Sequence, residues 1–153
     1  AGFDGNLTAR ENIFLNGCLL GHSQKYMEEH FNEIVDFAEL WDFLDSPIKN
    51  YSSGMRARLG FAIATMVKPD IFIVDEVLAV GDYKFRMKCE KRMEDMLKGG
   101  TTLLFVSHSI DEVKRLCDHA LWLNKGKLIQ MGEVNEVCEA YMEGIGAVQK
   151  EDK

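Results

Sequence analysis

Two adjacent carboxylates, Asp75 and Glu76, close the apolar run Ile71-Phe72-Ile73-Val74, and His108 follows a second such run, Thr101-Thr102-Leu103-Leu104-Phe105-Val106, after one serine. Acids at a strand end are a common surface feature when they stand alone. Together with a histidine they could do phosphate chemistry: Asp75 holding Mg²⁺ directly or through water, Glu76 orienting and deprotonating an attacking water, His108 contacting the terminal phosphate. A third group lies upstream in Tyr51-Ser52-Ser53-Gly54-Met55. It offers hydroxyls, a glycine that permits close backbone approach and the start of a helix, which are the parts of an anion site.

The elements that must position these groups follow from the spacing of apolar residues. A β-branched-rich run bounded by Lys68-Pro69-Asp70 reads as a strand of a parallel sheet with both faces covered, and ligands of such sheets sit outside the carboxyl ends of the strands. The second strand carries Ser107-His108 at its own carboxyl end. A charged helix from about Tyr83 to Lys98, with Phe85, Cys89, Met93 and Met96/Leu97 inward and Gly99-Gly100 as its stop, connects the two. Strand, helix, strand and helix is the grammar of a βαβ sheet.

Upstream, the capping box Thr8-Ala9-Arg10-Glu11 predicts a helix from about Ala9 to Leu20, and Met27, Phe31, Ile34, Val35 and Ala38 predict a second. Ser52 or Ser53 is the expected N-cap of a helix whose inner face is Leu59, Ala62, Ile63 and Met66. Downstream, Ser109-Ile110-Asp111-Glu112 reads as a further capping box. Two short strands joined at Asn124-Lys125-Gly126 and a last helix striped by Val134, Val137, Cys138 and Tyr141 complete the chain. The domain reading is a helical subdomain over residues 1–50, an α/β part over 51–143 and a polar tail over 144–153.

Composition narrows the partners. With 46% apolar and 28% charged residues the 153-residue chain can bury a core, and its formal charge of −7 without a Lys/Arg tract gives no footprint for a nucleic acid backbone. No apolar run approaches the length of a membrane span, and no signal-peptide pattern is present, so the working location is cytoplasmic. Cys18, Cys89, Cys117 and Cys138 form no CxxC or Cys/His cluster and read as reduced, small core residues.

Taken in order, Tyr51-Ser52-Ser53-Gly54-Met55, Arg58, the strand Ile71 to Glu76, Ala79-Val80-Gly81-Asp82 and His108 resemble the signature motif, Walker B strand with its glutamate, D-loop and H-loop of an ABC-type ATPase. Gly2-Phe3-Asp4-Gly5-Asn6-Leu7-Thr8-Ala9-Arg10-Glu11-Asn12-Ile13 and Asp75-Glu76-Val77-Leu78-Ala79-Val80-Gly81-Asp82 look like the branch that exports polysaccharides, O-antigen or teichoic acids. The resemblance covers nearly the whole chain. It implies part of a P-loop NTPase core with an amino-terminal helical subdomain, ATP and Mg²⁺ as cofactors, and ATP hydrolysis that drives a separate transmembrane permease. It further implies a head-to-tail homodimer on the cytoplasmic side of the membrane. In such a dimer Ser52, Ser53 and Gly54 serve the partner's γ-phosphate, with Asp82 also nucleotide-binding, while Asp75 (metal), Glu76 and His108 (catalytic) serve their own chain's nucleotide. The permease is expected to dock around Leu7, Arg10 and Phe14.

The sequence departs from that pattern in three places. Ser53 stands where the usual signature has glycine, and Met55 where it has glutamine, which removes an amide donor. No Gly-x-x-x-x-Gly-Lys-Ser/Thr occurs, the only Gly-Lys pair being Gly126-Lys127 in a hairpin turn. A Q-loop glutamine is missing as well. The chain is therefore expected to begin after the Q-loop of a longer protein. The alternatives are an ABC-type ATPase that does not transport and a catalytically silent interaction module.

Overall fold

The computed structural model describes residues 2–66, 69–75 and 82–151. Its elements run α1 (Ala9–Leu19), α2 (Gln24–Ala38), α3 (Ser53–Met66), β1 (Ile71–Asp75), α4 (Tyr83–Lys98), β2 (Thr102–Val106), α5 (Ile110–Leu116), β3 (His119–Asn124), β4 (Lys127–Glu133) and α6 (Val134–Glu151). The chain divides into two compact units, one built from α1 to α4 and the other from the strands with α5 and α6.

In the helical unit the apolar stripes do what their period requires. Met27, Phe31, Ile34, Val35 and Ala38 of α2 are buried, as are Leu59, Ala62, Ile63 and Met66 of α3 and Phe85, Cys89, Met93 and Met96 of α4. The capping box at α1 is complete: Glu11 N donates to Thr8 Oγ1 at 3.2 Å and Thr8 N donates to Glu11 Oε2 at 2.8 Å. Those bonds hold the Glu11 carboxyl below its ordinary value.

A residue the pattern gave no reason to single out organises the chain before α1. Asn12 is fully buried, accepts from Asp4 N at 2.9 Å and donates through Nδ2 to the carbonyls of Asp4, Leu7 and Thr8. The same segment is tied to the chain ahead of α3, since Ile48 N donates to Leu7 O and Lys49 N to Gly5 O, both at 2.9 Å. Of the expected permease contacts, Arg10 is exposed and paired with Asp45 at 3.3 Å, Leu7 is half-buried, and Phe14 stacks on Phe31 with centroids 5.7 Å apart.

In the other unit β1 and β2 are parallel neighbours, and β3 and β4 form an antiparallel hairpin. The hairpin turn needs only Lys125 and Gly126, both at positive φ (47° and 76°), which is the two-residue type I′ geometry. The expectation that β1 is covered on both faces is not met: Val74 is buried, but Ile71 is 59% and Ile73 68% exposed. Alternate residues of one strand point to opposite faces, so one face of β1–β2 is covered and the other presents Ile71, Ile73, Leu104 and Val106.

Three smaller expectations are corrected. Ser109 caps α5, with Glu112 N donating to its Oγ at 3.4 Å, but the box is not reciprocal. Ser109 N donates instead to Ser107 Oγ at 3.0 Å, and the Ser107 hydroxyl donates to Glu112 Oε2 at 3.4 Å. Cys18 is exposed on the outer face of α1 rather than buried, while Cys89 is buried and its thiol is pushed up to about 12 by desolvation. The polar tail is helical as far as Glu151, because nothing in it breaks a helix except two glycines, which a helix tolerates.

Candidate functional site

The site residues fall into two groups, one in each unit. In the helical unit, Tyr51 anchors the approach to α3. It is 4% exposed, donates through its hydroxyl to Phe43 O at 2.6 Å, and sits edge-on to the Phe43 ring. Burial, with the Asp45 charge adding to it, pushes its phenol above the ordinary range. Ser52 is the N-cap: Met55 N donates to Ser52 Oγ and Arg56 N to Ser52 O, both at 3.1 Å. The amides of Ser53 and Gly54 in the same first turn meet no acceptor among the described residues. A Cβ on Gly54 would meet only Ser52 Oγ, at 3.8 Å, so the glycine leaves the turn open rather than filling a packing need. Exposed hydroxyls, open amides and the positive end of a 14-residue helix make a surface suited to phosphate oxygens.

Asp82 belongs to this unit. Its Oδ1 accepts from Phe85 N at 2.9 Å as the N-cap of α4, and its Oδ2 pairs with Arg58 at 3.0 Å. The backbone bond from Phe85, helped by Arg58, holds its carboxyl below the ordinary value. Both oxygens of the residue assigned to nucleotide binding are thus engaged within its own unit. Reading the sequence missed the other members of this arrangement, Glu39 and Lys88. Their signal is faint, an acid just after the last apolar residue of α2 and a lysine one turn into α4.

In the sheet unit, β1 ends at exposed Asp75 and β2 ends one residue before Ser107-His108. Parallel neighbours put their carboxyl ends at the same edge, so Asp75 and His108, which is also exposed, are brought to one edge of the sheet. Glu76, and Ala79, Val80 and Gly81 of the loop assigned with Asp82, lie outside the described residues. Among the described residues no group of three His, Cys, Asp or Glu side chains could hold a metal ion. A lone Asp75 still fits Mg²⁺, which takes one or two carboxylates from a protein and completes its shell with water and phosphate oxygens.

Parallel strands with helices between them make this an α/β protein. The chain belongs to the ABC transporter family, whose model matches residues 1–79. Among its relatives, the O-antigen export system ATP-binding protein RfbB of Klebsiella pneumoniae is 45% identical over 144 residues, 94% of this chain and 58% of the relative. The teichoic acids export ATP-binding protein TagH of Lactiplantibacillus plantarum is 46% identical over 92% of this chain and 39% of the relative. The chain thus spans less than two thirds of these relatives' length. Among solved structures, the ATP binding subunit of an ABC transporter superposes with a TM-score of 0.80 at 21% identity, covering 92% of this chain and 58% of the other. A dimeric post-hydrolysis ATP-binding cassette bound to ADP and Pi superposes with a TM-score of 0.69 at 22% identity, covering 87% and 59%. At those identities the superpositions speak for the fold, which is that of ABC ATPases. No helix among the described residues is long and apolar enough to cross a membrane.

Proposed function

We propose that this chain supplies the signature, metal-carboxylate and histidine parts of an ATP-hydrolysing subunit that powers export of a polysaccharide, O-antigen or teichoic acid through a separate membrane permease. The observation that carries the reading is the ordered run of four ABC motifs along a chain 45% identical, over 94% of its length, to an O-antigen export ATP-binding protein. In this reading the subunit works at the cytoplasmic face of the membrane as a head-to-tail homodimer. The Gly-x-x-x-x-Gly-Lys-Ser/Thr cradle, absent from these 153 residues, comes from polypeptide outside them.

Each residue then has a role set by its chemistry. Asp75 would hold a Mg²⁺ ion, which would supply charge neutralisation for the phosphates when bound. Glu76 accepts a proton from the attacking water, and His108 donates to the γ-phosphate and keeps that water in line. Ser52, Ser53 and Gly54 close on the γ-phosphate of the partner subunit's nucleotide with hydroxyls and first-turn amides, donors already oriented where negative charge gathers. Asp82, nucleotide-binding in this reading, has its carboxylate engaged by Arg58 and by the Phe85 amide. The departure at Met55 costs the amide donors of a glutamine at one corner of this surface.

The test is steady-state ATP hydrolysis by the complete subunit. Glu76→Gln keeps the size and the hydrogen-bonding capacity of the side chain but not the base. Nucleotide binding is expected to persist while turnover falls at least ~10²-fold, the low end for losing a general base. Wild-type turnover in that variant would remove Glu76 from its role, and an inert wild-type protein would favour the silent interaction module.

A further inference from the structure

His108 stands in a very short connection. Val106 ends β2 and Ser109 is the N-cap of α5, so only Ser107 and His108 lie between strand and helix. The strand and the capped helix each hold their own end of the chain. Where the imidazole starts is therefore decided by the backbone of these two residues.

A side chain closes that turn. Ser109 N donates to Ser107 Oγ at 3.0 Å, a bond that spans His108 and imitates a backbone turn. The Ser107 hydroxyl donates in its turn to Glu112 Oε2 of α5 at 3.4 Å, which leaves a lone pair of the same oxygen for the Ser109 amide. Ser107 and Glu112 are half-buried, whereas His108 is exposed. All four residues belong to the sheet unit.

Turns closed by a serine are ordinary where a strand ends. Here the enclosed residue is the one given to the γ-phosphate, and such a group has to be held to within about 0.5 Å of its working place by the residues that support it. A hydroxyl that accepts from the amide beyond His108 restrains ψ of Ser107 and both dihedrals of His108. It thereby fixes the direction in which the Cα–Cβ bond of His108 leaves the chain. Threonine can close the same turn, and alanine cannot.

We propose that Ser107 is a positioning residue for His108, its hydroxyl closing the turn that aims the imidazole from the carboxyl end of β2. This rests on the reading above in which His108 contacts the γ-phosphate. Ser107 touches no nucleotide in this account. It acts through His108, and its loss lowers turnover without weakening ATP binding.

Steady-state hydrolysis by the complete subunit tests it, with Ser107→Ala, Ser107→Thr and His108→Ala compared at equal folded fraction by circular dichroism. Ser107→Ala is expected to lower kcat about fivefold or more, the worth of one net hydrogen bond, with KM for ATP changed by less than about twofold. Ser107→Thr keeps the hydroxyl and should recover most of the wild-type kcat. The Ser109 amide should also exchange with solvent faster in Ser107→Ala than in either protein that keeps a hydroxyl there. Wild-type kcat in Ser107→Ala beside a slow His108→Ala, or an equal loss in Ser107→Thr, would overturn this inference alone. Wild-type turnover in His108→Ala would instead remove His108 from its role, and an inert wild-type subunit would sink the enzyme reading, either one taking this inference with it.

Discussion

Ile13, Met27, Ile34, Leu59 and Ile63 of the helical unit are each at most 2% exposed, whereas Ile71, Ile73, Leu104, Val106, Leu121, Leu123 and Met131 of the sheet unit are each more than half exposed. The strands β1 and β2 are almost wholly apolar, while the helices are apolar along one stripe. They differ in what an element needs in order to be buried. An amphipathic helix buries one stripe, and α1, α2, α3 and α4 supply stripes to one another, so the helical unit closes with material of its own. A strand written for a parallel sheet carries apolar residues toward both faces and needs a layer on each. Here the second layer is not among the described residues, and the chain spans 58% of its O-antigen export relative. Burial inside the sheet unit comes from Val74, Leu116, Val134, Val137 and Cys138.

The same contrast runs through the proposed chemistry. The helical unit holds the groups meant for a partner's nucleotide on a rigid, capped and ion-paired scaffold. The sheet unit would hold the groups meant for its own nucleotide at the carboxyl ends of β1 and β2. Each unit can be loosened separately. Among the described residues, a Cβ on Gly17 of α1 would run into the Met27 thioether, and one on Gly144 of α6 into the Trp122 indole. Overpacking of this kind costs about 1–3 kcal/mol. Gly144→Ala is expected at the upper end and Gly17→Ala at the lower, because a thioether can change rotamer and an indole edge-on to Tyr141 at 5.7 Å cannot shift without moving its neighbour. Denaturant unfolding of the two variants checks the order, and a reversed order would mean that the sheet unit has the softer interior.

A smaller effect separates the units by pH. The Lys88 bond, with the nearby Arg58, lowers the pKa of Glu39 below its ordinary 4.5, and the Phe85 bond with Arg58 lowers that of Asp82 below its ordinary 3.8. Groups whose folded value is depressed contribute stability that is present above the unfolded value and is lost as pH falls through the folded one. Protection against hydrogen exchange in α3 and the start of α4, taken relative to the intrinsic rate at each pH, should therefore fall as the pH drops below about 4, earlier in wild type than in Asp82→Asn, whose cap does not titrate. Equal onset in the two proteins would detach Asp82 and its Arg58 pair from acid loosening.

Much of this was legible in the residues. Helix period and caps placed α2, α3 and α4 with the inward faces they have, and the Pro69-bounded run placed β1 as a strand, because each of those signals is local. A serine cap at Ser52 or Ser53, of which the structure uses Ser52, and Asp75 at the strand end followed from the same kind of signal. What escaped reading depends on partners distant in sequence. Arg58 gives no sign along the chain of its pairing with Glu39 and Asp82, 19 and 24 residues away. Asn12 looks like a polar interruption of an apolar face until four backbone groups before and at the start of α1 are seen to meet it. The exposure of Ile71 and Ile73 was illegible for the converse reason, since an apolar run states what its environment should be, and the described chain does not provide it.

The most direct measurement of the account is hydrolysis by a covalently linked dimer of the complete subunit carrying two inactivating changes, Glu76→Gln and a signature change such as Gly54→Asp. If the signature of one subunit serves the nucleotide of the other, the two changes placed on different subunits damage the same site and leave the second site turning over. Placed together on one subunit, they damage both sites. The account predicts hydrolysis in the split arrangement and its loss when both changes share a subunit. Loss in the split arrangement with activity retained in the shared one would contradict it, because each subunit would then be completing a site of its own.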